Sequence, residues 1–123
     1  MAEKEDINSS SGLINLMYIM DISGGNMPVA KDMINTALNQ IIDFIQIMEG
    51  YVKEENWEDL SFNTHKLRSS VRIIGAVTLQ NKLMELEKAS NASKTDIPEL
   101  FATAKGIASE IIRELEWELD KMA

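Results

Sequence analysis

The chain contains no cysteine, which excludes disulfides and thiolate metal ligands and suits a reducing compartment. It contains one histidine, His65. Zinc would therefore have mainly carboxylates to bind, a weak donor set for that metal, and no metal site is expected. No apolar run approaches the ~20 residues needed to cross a bilayer, and the N-terminal MAEKEDINSSSG lacks the apolar region of a signal peptide. No membrane insertion is expected, and the cytoplasm is the default location. Basic residues are few, 12 Lys and Arg against 20 Asp and Glu, for a net charge of −8. That balance disfavours nucleic acid, whose backbone calls for a clustered positive surface. Neither a Walker-type glycine loop nor a serine nucleophile elbow is present, so nothing signals autophosphorylation from ATP. Alternating β patterns and internal repeats are also absent.

What is present is helical periodicity over nearly the whole chain. With 123 residues the protein is expected to be one domain, 1–123, because smaller pieces would bury too little surface. Residues 1–11 are read as flexible. Leu13 to Ile22 is a short apolar segment after a serine cluster that can cap it, and Gly24-Gly25-Asn26 breaks it before Pro28 opens the next helix. Ile34, Leu38, Ile41, Ile45 and Met48 then recur three and four apart as far as about Lys53. Asn56 is a cap before the acidic first turn of a third helix, and Gly75 marks its stop. Leu79, Leu83 and Leu86 form the stripe of the run from Ala76 to Ala89. Asp96 and Pro98 open a last helix through Ile107, Ile111, Leu115 and Leu119. The expected fold is all-α, an antiparallel four-helix bundle with an additional N-terminal helix, and a monomer is the simplest state. The methionines are read as core filler.

His65 does not belong to the core stripe of its helix. On a wheel with Leu60 at zero, Thr64, Leu67, Val71 and Ile74 fall within roughly 40°, whereas His65 falls at about 140°. Arg68 lies near about 80°, Arg72 about 120°, Ser69 about 180°, and Phe62 and Ile73 about 200° and 220°. A histidine shown to water among cations, a small residue and exposed apolar groups suggests a docking site. Phe62 and Ile73 packing beneath the N-terminal helix is the plainer alternative. Ser70, off this face, is read as a helix-lining structural residue.

Gly75 adds a second inference. If the helices before and after it form an antiparallel hairpin, His65 and Glu87 lie at similar heights, one on each arm. Pairing of Glu87 with Lys82 or Lys88 is the competing possibility. A carboxylate that accepts from Nδ1–H fixes the imidazole tautomer and leaves the Nε2 lone pair outward, making the ring more nucleophilic. The guanidiniums could offset charge on an incoming phosphoryl group. Together these residues describe a histidine that accepts and gives up phosphate.

At these residues the chain resembles a known family. The stretch HKLRSSVRIIGAVTLQNKLMELE, within 64–87, is similar to the signature of histidine-containing phosphotransfer domains, the helical-bundle intermediates of two-component phosphorelays. That family shows His-x-Leu-Lys-Gly-Ser, then Gly-Ala, Leu and a Leu-Glu pair. His65, Leu67, Ser70, Gly75, Ala76, Leu79, Leu86 and Glu87 stand at its spacing, over about a fifth of the chain. Two positions depart: the family's lysine is Arg68, which keeps the charge, and its glycine is Ser69, which adds bulk where a partner approaches.

The resemblance implies that His65 is the phosphoacceptor, that Arg68 and either Arg72 or Lys66 assist, and that Glu87 orients the ring. Phe62, Ser69 and Ile73 would meet the partner. It further implies that donor and acceptor are aspartates on receiver domains of response regulators or a hybrid histidine kinase. The chain would then be a phosphate carrier, not an enzyme, without an intrinsic cofactor and with Mg2+ held by the receiver. It would act alone or as a domain of a membrane-bound hybrid kinase. The alternative is a non-phosphorylated four-helix interaction module that binds a receiver or other acidic partner through the same face.

Overall fold

The computed structural model describes residues 13–122. All regular structure among them is helical: α1 (Leu16–Ile22), α2 (Met27–Glu54), α3 (Trp57–Ile73), α4 (Val77–Ser90) and α5 (Ile97–Met122). Short connections place successive helices side by side and antiparallel. α2 packs on α3, α3 on α4, α4 on α5, and α5 returns to α2, so these four close a ring around one core. Lys105 early in α5 reaches Glu49 late in α2 at 3.0 Å, as antiparallel neighbours require. The expected all-α bundle with an extra N-terminal helix is therefore the observed architecture. The expectation for residues 1–11 lies outside the described residues. Among the described residues no helix is long and apolar enough to cross a membrane.

The helix ends follow local chemistry. Asn26 and Asn56 accept the N–H groups of Val29 at 3.1 Å and Asp59 at 3.3 Å, which satisfies donors that a first turn leaves open. Asp96 offers its main-chain carbonyl to Leu100 N–H at 2.9 Å, and Pro98 sits in the first turn, where a missing N–H costs nothing. One expectation fails at α1. Its cap is Asn15, whose side chain accepts from Tyr18 N–H at 2.9 Å, not the serine cluster, since α1 starts several residues later than the apolar segment suggests.

The expected stripes of α2, α3 and α4 are buried. Thr64, within the α3 stripe, satisfies its hydroxyl by donating to the Leu60 carbonyl at 2.6 Å. In α5 the stripe is rotated: Ile111 and Leu115 are buried, Ile107 and Leu119 only partly, and Glu114 and Glu118 turn inward. The methionines divide. Met48 is fully buried, but Met17, Met27 and Met84 are exposed, so core filling is not their common role.

α2 and α5, with 28 and 26 residues, outrun α3 and α4, with 17 and 14. The α3–α4 turn therefore stops short of the end of the bundle, and the N-terminal segment meets it there. Asn15 N–H donates to the Ile74 carbonyl at 2.9 Å, and Ile14 and Ile19 are buried. Gly75 makes this turn possible. Its φ is +66°, and a Cβ there would lie 2.6 Å from Asn15 Cβ.

Candidate functional site

α3 and α4 form the expected hairpin, and it sets the site. His65 projects from mid-α3 with 66% of its side chain exposed, although its neighbours Thr64 and Leu67 are buried. Glu87, in the last turn of α4, is 22% exposed and stands opposite. Its Oε2 lies 3.1 Å from His65 Nδ1. Its Oε1 accepts from Arg68 Nη1 at 2.6 Å. One carboxylate thus bridges imidazole and guanidinium, with one oxygen for each.

This geometry assigns the ring. A carboxylate only accepts, so Nδ1 must carry the proton that fills the 3.1 Å contact. In a neutral ring Nε2 then holds the lone pair. Arg68, 28% exposed, is drawn toward α4 and not out over the ring, and its Nε is buried with no hydrogen-bond partner.

The other expected residues spread around this centre. Lys66 Nζ stands 5.2 Å from the Phe62 ring centroid and 5.8 Å from that of Phe44 on α2, so its charge lies over an aromatic pair on the far flank of α3. Arg72 and Ser69 are exposed further along α3. Phe62 and Ile73 are 61% and 43% exposed, so they form open surface and are not packed away. The structure therefore brings His65, Arg68 and Glu87 into contact and leaves Lys66 and Arg72 peripheral. The competing pairing of Glu87 with Lys82 is not adopted, because Lys82 reaches Glu85 at 3.1 Å. Ser70 takes the expected structural role: it is buried and its hydroxyl donates to Gln40 Oε1 on α2.

Two features escaped the sequence reading. A mostly apolar groove of about 240 Å³ between α2 and α3, lined by Val29, Met33, Ala37, Ser70 and Ile73 among others, extends the open face from Ile73 onto α2. A second, beside the site, is lined by Arg68, Met84, Glu87, Lys88 and Asn91. The α2 contribution has no signal within the signature itself. It follows only from the exposed apolar residues of α2, such as Val29, once the α2–α3 contact is known.

No family model, curated protein or solved structure matches this chain, and a functional reading rests on the side chains just described.

Proposed function

We propose that the chain is a phosphorelay intermediate that accepts a phosphoryl group on His65 from an aspartate of one receiver domain and passes it to an aspartate of another. The single observation that supports this most is the His65–Glu87 contact, which turns the Nε2 lone pair of an exposed imidazole outward. In the transfer step the lone pair forms an Nε2–P bond as the P–O bond of the aspartyl phosphate breaks, and the electron pair leaves with the carboxylate. The second transfer is the same step reversed. Glu87 holds Nδ1–H and offsets the positive charge that the ring gains on attack. Arg68, held beside the ring by Glu87, and Arg72 and Lys66 at the edges contribute positive charge to the face that the phosphoryl group approaches. Mg2+ belongs to the receiver. The apolar Phe62 and Ile73, with Ser69 between them on the face, form the docking surface. In this reading the chain is a carrier without kinase activity, a monomer, acting in the cytoplasm either alone or within a hybrid kinase.

One observation favours the non-phosphorylated interaction module: Arg68 is engaged with Glu87 and not held free for phosphate. Labelled phospho-receiver domains, incubated with the chain and with His65→Gln, separate the two. The carrier reading expects acid-labile, base-stable label on the unaltered chain and none on the variant, with receiver binding retained by both. Binding without label from any receiver would favour the module.

A further inference from the structure

Asn91 follows the last residue of α4 and closes that helix. Its side-chain Nδ2 donates to Ser61 Oγ on α3 at 2.9 Å and to the main-chain carbonyl of Glu87 at 3.0 Å. The amide can point only one way. The opposite orientation would set Oδ1 against the Glu87 carbonyl, acceptor against acceptor. In an antiparallel hairpin, the residue one turn earlier on one arm faces the residue one turn later on the other. Ser61 lies one turn before His65, and Asn91 one turn after Glu87. The Ser61–Asn91 bond is thus the rung beside the His65–Glu87 rung.

This rung stands at the last turn of α4. The buried Leu79, Leu83, Leu86 and Ser90 fix the helix against the core, and Asn91 closes its last turn and ties it to α3. Glu87 is also pulled by Arg68 at 2.6 Å, a closer contact than the 3.1 Å to His65. If the end of α4 drifts, the carboxylate can follow Arg68 and lose the imidazole, because a contact at that length has little slack before it ceases to be a hydrogen bond. We propose that Asn91, through Ser61, is a positioning residue that holds Glu87 within hydrogen-bonding range of His65 Nδ1. Its importance for transfer rests on the phosphorelay reading, but the positioning itself does not.

The test is made on the unphosphorylated full chain. Nitrogen-15 NMR of the His65 ring reports the ratio of Nδ1–H to Nε2–H tautomers of the neutral imidazole. Asn91→Ala is expected to shift that ratio toward Nε2–H by about 2–5-fold, the equilibrium effect of one exposed hydrogen bond. Ser61→Ala should move it in the same direction, and Ser61→Thr, which keeps the hydroxyl, should retain the original ratio. Ser61→Ala leaves the Asn91 bond to Glu87 in place, so it carries the test if Asn91→Ala disrupts the helix end. A lowered melting temperature with an unchanged tautomer ratio in the folded variants would overturn the proposal and leave Asn91 as a cap only. Because no phosphoryl group is involved, failure here is separable from failure of the phosphorelay reading.

Discussion

Replacing Gly75 by alanine should destabilise the protein through two separable effects. The first is backbone strain: φ is +66°, and holding an L-residue with a Cβ in the left-handed region costs about 1–2 kcal/mol. The second is collision. The new methyl would lie 2.6 Å from Asn15 Cβ, with Asn15 N and Cα at 3.4 and 3.5 Å, so the segment entering α1 must move by roughly 1 Å to restore ordinary contact. That movement stretches the 2.9 Å bond from Asn15 N–H to Ile74 and disturbs the buried Ile14 and Ile19, a repacking cost of about 1–3 kcal/mol. The expected total is about 2–5 kcal/mol, measured by urea unfolding followed by circular dichroism. Asn15→Gly removes the struck atom and, as a cap change, should itself cost only a few tenths of a kcal/mol. In the double variant the collision should vanish, so Gly75→Ala should cost about 1–3 kcal/mol less there than alone. Additive effects, or a stable Gly75→Ala, would refute the claim that α1 seats directly on the hairpin turn.

The remaining predictions concern the site and its surroundings. Arg68→Ala removes a partly exposed ion pair and should lower stability by about 0.5–1.5 kcal/mol in the same unfolding assay, while slowing phosphoryl transfer. Phe62→Ala and Ile73→Ala, both at exposed positions, should change stability by no more than about 0.5 kcal/mol. Each should weaken receiver binding in calorimetric titration by roughly tenfold if it is a docking anchor. Transfer should slow on acidification, because a protonated Nε2 has no lone pair; a flat rate with the receiver's own pH response controlled would remove His65 as nucleophile. The hydrogen bond from Lys105, and then its charge, hold the Glu49 carboxyl below its ordinary value. A depressed carboxyl contributes stability that is present above its unfolded pKa and lost as pH falls through the folded one. Lys105→Ala should therefore flatten the acid side of the melting temperature against pH, by a small amount because the pair is exposed.

Much of the architecture was legible because apolar spacing and turn chemistry agree. The stripe from Leu60 to Val71, the break at Gly75 and the leucines of α4 predict the hairpin, and similar heights above its turn predict that Glu87 meets His65. Arg68 shows where such reasoning ends. A wheel gives its angle, between the core and His65, but not whether a long flexible side chain swings to Glu87 or to solvent. Asn15 was hidden for another reason: serine and asparagine cap equally well, and the later one is where the chain is fixed by the hydrogen bond from Asn15 N–H to the Ile74 carbonyl, a contact distant in sequence. Glu118 was missed because its charge argues for exposure, yet it continues the Ile111 and Leu115 face and is buried, its carboxylate 3.4 Å from the exposed Lys121. Asn91 and Ser61 are ordinary polar residues whose pairing depends on the hairpin register, so composition alone carries no sign of it.

The central claim is that Glu87 turns Nε2 of His65 toward the phosphoryl donor. It is tested most directly by nitrogen-15 and phosphorus-31 NMR of the chain after transfer from a phosphorylated receiver domain, to find which ring nitrogen bears phosphorus. The account predicts a single phosphoryl group on Nε2, with Nδ1 facing Glu87. Phosphorus on Nδ1, or on a residue other than His65, would contradict it.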